Sequence, residues 1–289
     1  MHSIHRSLPS ALLSCALLVV FAAQASATLI APHALFVDHR IRSAAIFLHN
    51  PDDKPVEVSI ELIYGYPRGD GDGGVKVFLE REPEAGEPSC AGWIRALPRR
   101  VILLPGQRQT VRLLARPPAN LPDGEYWSRV AVTSIAVKRE SESVEVAGAE
   151  GVRVGLELAT RTIISLNYRK GPVTTGIDVE RFGAGISSDA VTVDMNLRRL
   201  GDAAWLGRFD AVLLDSEGDE IEHWDRAIAV YDDIYRVIAL PLEQPRGPGN
   251  YMLSLTWSTA REDLPPEGIL PATTVVRAVP LIIMPPPGK

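Results

Sequence analysis

Past its first 27 residues, the groups in this chain best able to do chemistry are His33, His39, His49, His223, a single cysteine at Cys90, and several carboxylate-rich turns. Zinc needs imidazole and thiolate ligands at short, regular spacing, and nucleophilic catalysis needs a serine or thiol with a base brought to it. Beyond those 27 residues there is no H-E-x-x-H, no pair of histidines at metal-ligand spacing and no G-x-S-x-G. His39 and His49 flank one strand and read as solvent-facing residues. Asp70-Gly71-Asp72-Gly73-Gly74 sets two carboxylates at glycine spacing, as a calcium-wrapping loop begins, but the further acidic ligands do not follow. It reads as a solvated turn, and so do DSEGDE at 215–220 and YDDIY at 231–235. Trp93, Trp127, Trp205, Trp224 and Trp257 are scattered, as core or interdomain residues are. The expectation is a chain with no catalytic residue, no metal ligand, no cofactor and no small-molecule substrate, and so not an enzyme.

The compartment follows from the start of the chain. Arg6 precedes an apolar run over 11–23 and then Ala25-Ser26-Ala27, the pattern of a secretory leader with an A-x-A cleavage site, so residues 1–27 are expected to be a signal peptide. No later stretch reaches the ~20 apolar residues that span a bilayer. With Cys15 inside the leader, Cys90 is left without a disulfide partner in an oxidising destination, and the cores must hold the fold. Cys90 itself, in EPSCAGW, reads as a small buried residue. Of 30 basic residues, Arg6 leaves with the leader, which sets 29 against 36 acidic ones. That balance, with no basic stripe, disfavours nucleic acid and anionic membranes as partners.

The elements that must position any binding surface are strands. From residue 28 to about 168, short apolar runs alternate with period two between Gly, Pro, Asn and Asp: 44–48, 56–63, 101–104, 111–114, 127–137 and 152–166. Pro105-Gly106 and Pro122-Asp123-Gly124 supply the turns. Residues 65–92, rich in Gly, Pro, Asp and Glu, read as a long hairpin or excursion. A second set of runs, 191–197, 207–214, 228–230, 235–240, 251–257 and 274–283, follows Gly171-Pro172. The pattern predicts an all-β chain of two immunoglobulin-like β-sandwich domains, 28–170 and 171–289, the latter ending in the Pro-rich tail MPPPGK.

One strand carries a row suited to binding. In GVRVGLELATRTIISLNY, Val152, Val154, Leu156 and Leu158 share a face and alternate with Arg153, Gly155 and Glu157. Such a row either faces its own core or lies at a sheet edge open to a partner, and the pattern does not separate the two.

Several residues together resemble the amino-terminal domain of the PapD-like periplasmic pilus chaperones. They are Ile30-Ala31-Pro32-His33, a strand ending at Asn50-Pro51, then Leu103, Pro105, Gly106, Gln109 and Arg112, and then Leu121, Pro122, Glu125, Tyr126 and Trp127. The resemblance covers about 140 residues of the first half and is only architectural beyond. It implies a chaperone of fimbrial biogenesis, with pilus or surface-structure subunits and an outer-membrane usher as partners. It also implies that the row Val152, Val154, Leu156 and Leu158 is lent to an incomplete subunit by β-augmentation, satisfying its exposed backbone and filling its groove. Two basic residues in the interdomain cleft would grip the subunit's terminal carboxylate. His33 stands where an arginine is expected, and Arg161 is the nearest candidate for the second. Arg112, Glu125 and Arg169 match a charge cluster that sets the angle between domains. An exported structural or adhesive β-sandwich protein of a pilus or cell surface remains the alternative.

Overall fold

The computed structural model describes residues 28–79, 82–137 and 158–285. The expected signal peptide and the residues Val152, Val154 and Leu156 lie outside the described residues. Eighteen strands and two single-turn 3-10 helices make up the regular structure described. In chain order the first eleven strands are β1 (Leu29–Ala31), β2 (Ala34–Asp38), β3 (Ser43–His49), β4 (Val56–Ile63), β5 (Gly65–Gly69), β6 (Val75–Leu79), β7 (Ile94–Leu97), β8 (Arg100–Leu103), β9 (Arg108–Ala115), β10 (Gly124–Ala136) and β11 (Ala159–Lys170). The remainder are β12 (Thr175–Ile186), β13 (Ala190–Gly201), β14 (Trp205–Leu214), β15 (Glu220–Val230), β16 (Ile234–Pro241), β17 (Gly249–Ser258) and β18 (Val275–Ile283). Among the described residues no helix is long and apolar enough to cross a membrane.

The first sandwich packs the sheet β1-β3-β9-β7 on the sheet β2-β11-β10-β4-β8. Alternation decides what faces inward. Ile46, Leu48, Val111 and Leu113 come from one sheet and Val58, Ile60, Val130, Val132, Ile164 and Leu166 from the other, and together they fill the space between. β1 and β2 are two halves of one opening strand, split between the sheets at Pro32. With β8 continuing β7, this two-sheet order of seven strands, the first shared between the sheets, is the immunoglobulin arrangement. Cys90 is fully buried, its Sγ donating to the Ser128 hydroxyl (3.3 Å) and the Tyr126 carbonyl (3.4 Å).

The second sandwich packs β12-β13-β16 on β15-β14-β17-β18, three strands on four. Its core is built on Trp205, Phe209 and Trp257, all fully buried, with the Phe209 and Trp257 rings 5.3 Å apart. The sequence pattern did not signal β12, which reads TGIDVERFGAGI. Only Ile177 and Val179 are buried in it, and a bulge between Glu180 and Gly183, with Arg181 at φ 43°, breaks the alternation.

The excursion at 65–92 opens with the hairpin of β5 and β6, in the register Gly65↔Leu79, Pro67↔Val77 and Gly69↔Val75. It leaves the first sandwich after β4 and reaches the second. The Val237 backbone N–H of β16 donates to the Gly73 carbonyl at 2.9 Å, and Val75 packs against the second core. Gly73 sits at φ 90°, and a Cβ there would lie 2.3 Å from Val237 Cγ2, so the tip is built for glycine. The Asp70 carboxylate accepts from the Asp72 and Gly74 backbone N–H groups and is spent on holding this turn.

Candidate functional site

Two features of the first sandwich face outward together, a free sheet edge and a cleft beside it. β10 pairs with β11 along its whole length, from Gly124↔Lys170 to Ile135↔Ala159. On its other side β11 meets β2, in parallel, only from Ser165↔Ala34 to Arg169↔Asp38. The outer edge of β11 over residues 159–164 therefore has no strand partner among the described residues. Leu158, immediately before β11, is 66% exposed.

On the outward face of that sheet lies a cleft of about 430 Å³ between the two sandwiches. His33, Arg129, Ile163 and Ser165 line it from the first sandwich, Pro67, Val77 and Leu79 from the hairpin, and Leu206, Ala229, Tyr231, Arg261 and Leu264 from the second. Its floor holds an unusual charge. Arg129, on β10, is only 4% exposed, and no carboxylate forms an ion pair with it among the described residues. Its Nη1 donates to the Ser128 carbonyl at 3.3 Å and the Tyr231 hydroxyl at 3.5 Å, and its guanidinium lies 5.0 Å from the Tyr231 ring centre. These contacts soften the cost of burying a cation without supplying the opposite charge. Arg261, by contrast, is held bidentately by Asp263 at 2.5 Å and is locally neutralised.

Behind the cleft the sandwiches join through a polar knot and an aromatic cluster. The buried Glu125 side chain accepts from Trp127 Nε1 (2.8 Å), Asn167 Nδ2 (2.8 Å) and the Ala204 backbone N–H (3.0 Å), and pairs with Arg169 Nε at 2.7 Å. Arg169 then donates to the Glu267 and Gly268 carbonyls of the second sandwich, at 2.7 and 3.0 Å. Tyr231 donates to Asn167 Oδ1 (3.4 Å), so a hydrogen-bonded chain runs from Arg129 to Glu125. Around it Tyr66, Trp127 and Tyr231 pack with ring centres 4.9 to 5.7 Å apart.

The residues singled out from sequence fall in different places. Glu125 and Arg169 meet at the junction. Arg112 does not join them, and the expectation is corrected: on β9 it pairs with Ala45 and Leu97 in the opposite sheet, facing solvent. His33 lines the cleft, one residue before the Ala34↔Ser165 pair. Arg161 does not accompany it. It lies four residues before Ser165, ~13 Å along the strand, with its Nη2 3.7 Å from Glu61 Oε2. The pairing of His33 with Arg161 fails because the register puts Ser165 opposite the start of β2. Leu158 is exposed, while the other three members of its row lie outside the described residues. Sequence reasoning missed Arg129, Tyr231 and the hairpin wall. One signal was available, since an arginine amid Trp127, Val130, Ala131 and Val132 sits in a strand too apolar to have a wet face.

No family model matches the chain, and no curated protein does. Among solved structures, the YadV chaperone aligns at 15% identity and a TM-score of 0.45, over 88% of this chain and 99% of that one. The class 5 fimbriae chaperone CfaA aligns at 12% and 0.42, over 87% and 98%. The CsuC-CsuE chaperone and tip adhesion subunit complex of Acinetobacter baumannii aligns at 14% and 0.41, over 74% and 91%. At such identities the reading of the site belongs to this chain's own side chains.

Proposed function

We propose that this chain is a periplasmic, ATP-independent assembly chaperone that caps pilus or surface-structure subunits by lending them an edge strand. The observation that carries the reading is the outer edge of β11 over residues 159–164, which has no strand partner among the described residues. An open row of backbone N–H and C=O groups on a stable sandwich is a template for another strand, and natural sheets cover or blunt such rows unless they use them. The alternating row Val152, Val154, Leu156 and Leu158 leads directly into this edge, so under this reading it supplies the side chains that enter the partner's groove. Each aliphatic side chain contributes roughly 1.5 to 3 kcal/mol if fully buried, before ordering costs.

In the same reading residues 1–27 are a signal peptide, 28–170 and 171–289 are the two domains, and an outer-membrane usher is a further partner. Glu125 and Arg169 fix the angle between the domains. The partner's terminal carboxylate lies on Arg129, with His33 beside it, in place of the His33 and Arg161 pair. A buried guanidinium with no carboxylate partner among the described residues supports that assignment. The chemistry is binding, not turnover.

The test is co-expression of the exported chain with the β-rich proteins encoded beside it, followed by purification from the periplasm and mass spectrometry. The expected result is one stoichiometric partner, lost in Leu158→Asp and Leu156→Asp. Leu158 is exposed, so its replacement should change stability by no more than about 0.5 kcal/mol. A chain that polymerises by itself, or stays monomeric with no client, sinks the chaperone reading and favours the structural or adhesive one.

A further inference from the structure

The β5 and β6 hairpin turns the cleft from an open notch between two sandwiches into a three-walled pocket. Its tip is anchored on the second sandwich by the Gly73 to Val237 hydrogen bond, by Val75, and by Arg68, whose Nη2 lies 3.6 Å from Asp232 Oδ2. Between that anchor and the base, Val77 and Leu79 face the cleft, and neither belongs to a core cluster. Val77 is 47% exposed, so an aliphatic side chain faces solvent outside every core cluster of the described residues. Leu206 and Leu264 line the pocket from the second sandwich, and the buried Arg129 forms its floor.

We propose that the hairpin selects which partners the cleft accepts. Val77 and Leu79, with Leu206 and Leu264, form an apolar subsite for the last side chain of a partner polypeptide whose terminal carboxylate rests on Arg129. The occupant is a chain terminus because one buried cation with no carboxylate partner among the described residues asks for one anion, and the walls ask for a bulky aliphatic or aromatic group beside it. A cavity of about 430 Å³ is ligand-sized, suited to the end of a strand. The inference rests on the reading of the cleft given above and names the chemistry that the cleft takes.

The experiment uses the full exported chain and fluorescently tagged ten-residue peptides of alternating valine and serine. They end in Leu, Phe, Gly or Glu, each as free acid and as amide, and binding is read by anisotropy. Leu- and Phe-ended acids should bind roughly tenfold to a hundredfold tighter than the Gly-ended acid. The double variant Val77→Ser, Leu79→Ser should bind Leu and Gly ends alike while still preferring acid over amide, and Arg129→Gln should lose the preference for acid. Val77→Lys, which leaves both cores untouched, should bring Glu-ended peptides forward. If the wild-type chain prefers acids but ignores the last side chain, or if its apolar preference survives in the double serine variant, the hairpin inference is overturned while the cleft reading stands. If no peptide binds, or amide binds as well as acid, both are overturned.

Discussion

His39 shows how much one side chain can be constrained in an otherwise solvated turn. Its Nδ1 lies 2.5 Å from the hydroxyl of the fully buried Tyr168, and Arg42 Nη2 lies 3.0 Å from its Nε2. A guanidinium only donates, so Nε2 accepts and the ring proton sits on Nδ1. Desolvation, and then the Arg42 and Lys170 charges, lower the imidazole pKa below its ordinary 6.5. The folded state thus holds a neutral ring where the unfolded chain takes up a proton. The contribution of His39 is fully present above about pH 6.5 and is lost as pH falls below it. Urea midpoints at pH 7.5 and pH 5 should therefore differ more for the wild type than for His39→Gln, and equal differences would count against the effect. Cys90 is constrained more strongly. Burial pushes its thiol up to about 12, so almost no thiolate exists at neutral pH. A thiol reagent should label the native chain only at its rate of opening and the urea-unfolded chain at once; fast native labelling would show that the pocket around Cys90 breathes.

Among the elements, the hairpin carries the sharpest prediction. Gly73→Val adds a branched side chain at positive φ against Val237, and the backbone strain alone costs about 1 to 2 kcal/mol. The tip should lift from β16. Limited proteolysis should then cut between residues 65 and 79 while both sandwiches stay intact; unchanged resistance would mean that the tip contact is dispensable. Much at this scale was legible in the sequence. Runs at 44–48, 56–63, 111–114 and 207–214 fall within β3, β4, β9 and β14, because in each of those strands buried residues alternate with more accessible ones. β1, β2 and β7 are short, and β12 is polar and bulged, so none offered a period long enough to read. The site was less legible than the fold. Arg129 and Tyr231 acquire their roles from partners 102 residues apart, and Tyr231 sits in YDDIY, whose acids suggested only a solvated turn. The misplaced Arg161 reflects a register, which sequence spacing fixes only to within a strand repeat.

At the scale of the whole molecule, the contacts that tie the two sandwiches together include the Glu125 and Arg169 knot, the Tyr66, Trp127 and Tyr231 cluster, and the hairpin. A junction that is both polar and aromatic at its centre should make unfolding cooperative. Arg169→Ala strands a buried carboxylate, which costs about 3 to 5 kcal/mol, and releases the two carbonyls of the second sandwich. Calorimetry should show one transition for the wild type and two for this variant; a single, merely shifted transition would place the coupling elsewhere. The same molecule also carries a ruler. Because β2 runs parallel to β11 with Ala34 opposite Ser165, the residues that would continue that pairing over 159–164 are 28–33. Of these, Leu29, Ile30 and Ala31 have gone to the other sheet, where they pair with His49, Leu48 and Phe47. Pro32, which has no N–H to offer, sits at the crossing. The point at which the chain changes sheets therefore measures out the length of β11 that has no outer strand partner among the described residues, about six residues or ~20 Å of strand. Under the proposed function, moving that crossing two residues earlier or later would shorten or lengthen the edge open to a partner strand by one side chain on each face.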